Sequence, residues 1–446
     1  MRYLIEIKKI LNQLHPLPIF IFFIVLTVFV TSNSIDNVNP ASRFLTMESL
    51  VENRSFTINE KHQYTCDKMF RDGNYYSSKP PVLSVAGAGI YFVLHNFFNL
   101  DLPDKPYINA ENLSVYLIIL ILVGGTYLLL LLYFYKILKL LKIKKEYQIL
   151  LLLGLGCGTL YLSYLPTLNN HTIAGSFLFA GFYYLLKLKS GEAKKYKKNI
   201  ILCGFFTSLS AVIDLPTGLT FLTLFCIYIF FIISKKQTVY YIFAAAPIIT
   251  AHLFLNLQIT GDFLPVQFHP ELGDYKNLIW NMLGSDGIPH QQNSLVYVFN
   301  IFFGARGLLF YSPILIFAFY SIYKTVKCRK NIFWKEAILV LSGFIIISLF
   351  YIIKVKDYAG YSYGFRWFVA ITPLLYFFII FLLNKKMSFE FKNSFVIILI
   401  VSISVSIIGL CNSWSRTHTF IAVSSEKTIV VHSPLLNNLI FIFNKF

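Results

Sequence analysis

Apolar runs of span length recur along this chain, separated by short polar segments. They lie near 16–32, 113–135, 148–166, 172–188, 199–214, 217–234, 239–257, 306–323, 337–354, 367–384 and 394–412. A membrane-crossing helix needs about 20 mostly apolar residues, so each run predicts a span. A further stretch, 82–100, is short and carries Gly87, Gly89, His95 and Asn96. Charge decides its reading. The basic residues cluster at Lys136 to Lys145, Lys187 to Lys198, Lys235-Lys236, Lys324 to Lys335 and Lys385-Lys386. All five clusters fall on one side only if 82–100 lies in the interface as an amphipathic or re-entrant helix. Positive loops mark the cytoplasmic face. The prediction is an all-α polytopic membrane protein of about eleven spans, N-terminus inside and C-terminus outside. Arg2, Lys8 and Lys9 precede the apolar stretch Leu17 to Val30. With no small-residue cleavage motif after it, that stretch reads as an uncleaved first span.

The polar positions then collect on the outer side. A membrane domain over 1–412 carries a long first outer loop with interfacial helices, 33–112, and a second outer loop, 258–304. A short outer tail, 413–446, follows, with a β-prone segment Thr428 to Val431 and an apolar one from Leu435 to Phe443. Loops on a rigid scaffold carry function, and charges beside a bilayer need a reason. The first loop holds Asp36, Arg43, Glu48, Asp67, Lys68 and Lys79, which makes it the place to look for chemistry.

Composition agrees. The 446 residues are 56% hydrophobic and only 13% charged, against about 25% charged in soluble domains. The net charge of +18 sits in the cytoplasmic loops, so it marks orientation and excludes a nucleic-acid partner. The six cysteines show no CxxC and no metal-type spacing. No internal repeat is visible, which disfavours an inverted-repeat transporter.

Several local stretches resemble the GT-C superfamily of membrane glycosyltransferases, in particular bacterial aminoarabinose transferases, protein O-mannosyltransferases and their uncharacterised relatives. The stretches are Arg43-Phe44 with Ser49-Leu50-Val51, Lys79-Pro80-Pro81 before a helix, and Asn169-Asn170-His171 opening a span. Phe302 to Pro313 and Gly364-Phe365-Arg366 with Pro373 complete the set. The resemblance implies a GT-C-like bundle of about eleven spans. It implies a polyprenyl-phosphate sugar donor, membrane lipid as surroundings, and a lipid, glycan or protein acceptor. It also implies a bacterial inner-membrane location. One departure stands out: where many such enzymes place an acid directly before the Arg, this chain reads Asn39-Pro40-Ala41-Ser42.

Such a transfer needs a base for the acceptor and cations for the leaving phosphate. Asp67, Asp36 and Glu48 are the candidate bases, while Asp72 before Gly73 reads as a turn residue. Lys79, Arg366, Arg306, Arg43 and Lys68 are the candidate phosphate ligands. His171, Asn170, Asp214, His269 and Tyr76 are candidates for the acceptor cavity, although Asp214 before Leu215-Pro216 reads slightly more naturally as a helix cap. A divalent cation, Mg or Mn, on Asp67, His171 and Asp214 is conceivable from their chemistry. A transporter or lipid flippase and a non-catalytic scaffold are the alternatives to the transferase.

Overall fold

The computed structural model describes residues 16–106, 111–190, 196–269, 271–272, 293–355, 357–383, 388–415, 419–424, 427–431 and 433–443. Side chains at 16, 190, 419–424 and 427–431 are outside the description. Arg2, Lys8, Lys9, Lys385, Lys386 and residues 270 and 273–292 of the predicted second loop lie outside the described residues.

The fold is polytopic and α-helical. Among the described residues, six helices are long and apolar enough to cross a membrane: Pro81–Phe98, Leu113–Leu140, Leu215–Ile233, Thr238–Thr260, Trp334–Val355 and Phe389–Leu410. A 22-residue helix spans about 33 Å at 1.5 Å per residue, the thickness of the hydrocarbon core. Their outward rows expose Phe231, Phe243, Phe254, Ile353 and Ile397. Apolar faces of that extent are solvated by lipid rather than water. Pro81–Phe98, read from the sequence as an interfacial helix, therefore also has the length of a span.

The chain divides into two compact units. One comprises Thr31–Thr126 and Pro166–His290. It begins with α1 (Val38–Glu52), capped by Asn37, whose side chain accepts from the Asn39 amide at 2.9 Å. Strands β1 (Lys68–Arg71) and β2 (Asn74–Ser77) pair antiparallel, Met69 opposite Tyr76. Asp72 (φ 50°) and Gly73 (φ 78°) turn between them, the two-residue hairpin turn that requires positive φ twice. Helix α2 (Pro81–Phe98) follows, with Pro81 in its first turn where no amide donor is needed. Gly87 of α2 lies so close to α1 that an added Cβ would stand 2.3 Å from Met47 Cε.

Helix α3 (Asn170–Lys187) is capped by Asn169, which accepts from the Thr172 amide at 3.0 Å. Helices α4 (Tyr196–Ile213) and α5 (Leu215–Tyr228) form a tight hairpin. A Cβ on Gly218 would fall 2.4 Å from the Ser210 carbonyl and the Ala211 nitrogen, so only glycine permits this backbone contact. Helix α6 (Thr238–Thr260) completes the unit.

The other unit comprises Met1–Val30, Tyr127–Leu165 and Gln291–Phe446. Three of its predicted continuous spans are interrupted. The run 148–166 becomes Lys145–Cys157 and Leu160–Ser163, because Gly158 ends the first helix and Thr159 caps the second. The run 306–323 divides into Leu308–Tyr311 and Leu315–Lys327 around Ser312-Pro313, since proline cannot continue a helix. The run 367–384 becomes Thr372–Phe377 and Ile380–Leu383. Side chains stitch the interruptions: Ser163 Oγ donates to the Ser406 carbonyl at 3.0 Å and Tyr363 Oη to that of Val405 at 2.6 Å. The β-prone tail segment forms β4 (Lys427–Val431), paired with β3 (Thr419–Ser424). The tail helix Pro434–Phe443 is tied down by Asn438, whose amide donates to the Ile408 and Asn412 carbonyls at 3.0 and 2.9 Å.

Candidate active site

The three candidate bases have different surroundings. Glu48, on α1, forms an ion pair with Lys61 at 2.6 Å. Desolvation of the largely buried carboxyl pushes its pKa up, opposed by the Lys61 hydrogen bond. Asp67 forms an ion pair with Lys79 at 2.7 Å, both side chains about one-sixth exposed. Asp36 makes no ion pair among the described residues. It lies one residue before the cap of α1 and its side chain is exposed. The surrounding protein nevertheless displaces enough water to push its carboxyl up to about 6.

The Asp67–Lys79 pair is built by hydroxyls that sequence reasoning did not single out. Ser42 Oγ donates to the Asp67 carbonyl and meets Ser77 Oγ, both at 2.6 Å. The Ser78 amide donates to the same carbonyl at 3.1 Å. The Asp67 amide donates to Thr65 Oγ1, which in turn donates to the Val38 carbonyl at 2.9 Å. The pair is thus clamped between α1, the hairpin and the start of α2. Gln267 Nε2 donates to the Ser78 carbonyl at 3.2 Å from beyond the end of α6.

Arg43, a candidate phosphate ligand, is buried. Its Nη1 donates to the carbonyl and to the side-chain oxygen of Asn39, and its Nη2 donates to Asn170 Oδ1 at 3.0 Å. Lys68 donates to the His62 carbonyl at 3.1 Å and stands over the Tyr75 ring, on which His62 stacks. Tyr76 packs with Met69 and Ile259 in a small buried cluster and is a core residue. Arg306 and Arg366 belong to the other unit. Arg306 is buried and donates through Nη1 to the carbonyl and hydroxyl of Ser362 at 2.6 and 2.5 Å. Arg366 lies with its guanidinium 4.9 Å from the Trp414 ring centre.

Of the predicted cavity group, His171 and Asp214 come together: the His171 Nδ1–H donates to Asp214 Oδ2 at 2.6 Å, both residues buried. Asp214 occupies the cap position of α5, yet its side chain makes no capping bond. The buried imidazole is the stronger partner for that carboxylate, so the capping reading gives way to a pair. His269 lies between Glu271 and Asp262, at 3.0 and 3.1 Å. Burial alone would lower its pKa, but the two carboxylates outweigh it and hold it up. The trio considered for a divalent cation does not gather. His171 and Asp214 bond to each other and Asp67 to Lys79, and among the described residues no group of three His, Cys, Asp or Glu side chains converges. As arranged, these three residues do not fit a divalent cation.

No family model and no curated protein matches this chain. Solved structures do. The oligosaccharyltransferase of Archaeoglobus fulgidus in its apo form matches with a TM-score of 0.53 and 11% identity, over 89% of this chain and 56% of that one. The same enzyme with Zn and sulfate matches with a TM-score of 0.52 and 12% identity, over 87% and 53%. ArnT from Cupriavidus metallidurans bound to undecaprenyl phosphate matches with a TM-score of 0.51 and 11% identity, over 85% and 62%. The chain spans a little over half the length of these proteins. The fold is similar to that of these membrane-protein structures. At such identity the likeness is one of fold.

Proposed function

We propose that this protein transfers a sugar from a polyprenyl-phosphate carrier to a lipid, glycan or protein acceptor on the outer face of a bacterial inner membrane, with Asp36 as the base. The observation that carries the reading is the contrast among three carboxylates. Glu48 and Asp67 are held in ion pairs at 2.6 and 2.7 Å. Asp36 is exposed, outside any described ion pair, and raised to about 6. A general base works best when its pKa approaches the working pH. The fold adds support, since ArnT, of similar fold, was solved with undecaprenyl phosphate bound.

In this reading the acceptor hydroxyl or amine gives its proton to the Asp36 carboxylate as it attacks the anomeric carbon. The bond from that carbon to the phosphate oxygen breaks, and polyprenyl phosphate leaves with inversion. Lys79 neutralises the departing phosphate. Asp67 holds the Lys79 ammonium in place at the N-terminal end of α2, where the helix dipole also favours an anion. The missing acid before Arg43 is then supplied from three residues before Asn39. His171 and Asp214, with Asn170, border the acceptor.

Interrupted helices in the other unit fit a transporter, but the buried charges fit it less well. Glu336 lies in the first turn of its helix and Arg306 just before one, whereas transport sites bury charge within spans. The test is sugar transfer in proteoliposomes supplied with radiolabelled undecaprenyl-phosphate sugars and a panel of lipid and peptide acceptors. Transfer by the wild type supports the reading, and its absence across the panel, with solute or lipid transport present, overturns it.

A further inference from the structure

We propose that Arg43 is a positioning residue that fixes Asp36 by fastening the start of α1 to the start of α3, and that it does not bind the donor phosphate. This rests on the reading of Asp36 as the base. Asp36 precedes the cap of α1 by one residue, so its location follows that of the first turn. Arg43 engages that turn twice, through the carbonyl and the side-chain oxygen of Asn39. The remaining arm of its fork reaches Asn170 Oδ1 at 3.0 Å. Asn170 is itself firmly placed. Its predecessor Asn169 caps α3, and its successor His171 is bonded to Asp214 at 2.6 Å. Asn39, Arg43 and Asn170 thus form one line of hydrogen bonds from the first turn of α1, three residues after Asp36, to a braced helix start.

The chemistry of the partners supports this assignment. The three acceptors seen among the described residues are neutral carbonyl oxygens, and Arg43 is 1% exposed. A phosphate ligand needs donors presented to a ligand-accessible surface, whereas Nη1 and Nη2 of this buried fork reach two elements simultaneously. Only arginine spans both with a rigid planar fork, and lysine supplies the same charge from a single point. Lysine therefore keeps what phosphate binding requires and loses what positioning requires.

The experiment compares Arg43→Lys and Asn170→Ala with wild type in detergent, using undecaprenyl phosphate as the binding probe. The titration of Asp36 is read by infrared difference against Asp36→Asn. Positioning gives undecaprenyl phosphate affinity within about twofold of wild type in both variants. It also gives an Asp36 titration displaced downward, toward the ordinary carboxylate range. Wherever transfer is measurable, turnover falls at least about tenfold with the donor KM unchanged. A loss of undecaprenyl phosphate affinity of about tenfold or more in Arg43→Lys, with Asp36 titrating as in wild type, would make Arg43 a phosphate ligand and overturn the proposal. If Arg43→Lys does not fold, Asn170→Ala decides alone, since it leaves the charge in place. An unchanged Asp36 titration in Asn170→Ala overturns the positioning role whatever Asp36→Asn does to transfer. Normal transfer by Asp36→Asn would overturn the functional reading whatever Arg43 does.

Discussion

Replacing Asp36 with Asn should stabilise the protein at neutral pH while abolishing transfer. In the folded state its carboxyl is raised from 3.8 to about 6 because surrounding protein disfavours the charged form. The folded state therefore holds this proton more tightly than the unfolded chain does. The sign follows: Asp36 favours the fold below its unfolded pKa, and that contribution is lost as pH rises through about 6. Two pKa units correspond to about 3 kcal/mol. The side chain is exposed, so solvent screening reduces the figure to about 1 kcal/mol. Asn keeps the shape and lacks the charge. Its advantage over Asp should be about 1 kcal/mol at about pH 7.5 and should vanish near pH 4. In a chain of this length that is a shift of roughly 1–2 °C in Tm. Thermal unfolding in detergent, followed at both pH values, measures it directly. An equal difference at both pH values, or an Asn variant less stable at about pH 7.5, would refute the reasoning. A site that gives up stability for a poised group is what a catalytic base requires.

Three further outcomes follow from the packing. Gly218→Ala forces a Cβ to 2.4 Å from backbone atoms of Ser210 and Ala211, which cannot yield, and should cost about 3 kcal/mol. Gly87→Ala meets only the flexible end of Met47 and should cost about 1 kcal/mol or less; thermal unfolding of the two variants side by side checks the order. Lys79→Met leaves Asp67 partly buried without its cation and should destabilise by roughly 1–2 kcal/mol, between the values for exposed and buried pairs. Asp67→Asn in the same chain should recover most of that loss, which a double-mutant cycle measures. Glu48→Gln breaks the 2.6 Å contact to Lys61 and should lower stability by about 1 kcal/mol while leaving the transfer rate within about twofold.

Much of the membrane scaffold was legible because apolar runs of span length admit few alternatives. Interfacial helices in the first outer loop were also expected, and the turn at Asp72-Gly73 was legible from its residue types. The interruptions at Gly158 and Pro313 were not read, since the runs around them stay apolar and only the local backbone breaks. Nor were the pairings of the charged groups. Asp67 and Lys79 are 12 residues apart, Glu48 and Lys61 are 13 apart, and His171 and Asp214 are 43 apart. No periodicity links residues at such separations, and tertiary packing alone brings them together. Ser42 and Thr65 carried no signal, because a hydroxyl that holds a backbone carbonyl looks like any other. The Asn39–Arg43 contact, at helical i, i+4 spacing, is the exception that could have been found.

The central claim is that Asp36, and neither Glu48 nor Asp67, is the base. It is tested most directly by the pH dependence of sugar transfer in proteoliposomes for wild type, Asp36→Asn, Glu48→Gln and Asp67→Asn. The expected result is a wild-type rate that falls below about pH 6, the same falling limb in Glu48→Gln and Asp67→Asn, and no transfer in Asp36→Asn. Transfer by Asp36→Asn with the limb intact, or its loss in Glu48→Gln or Asp67→Asn instead, would contradict the account.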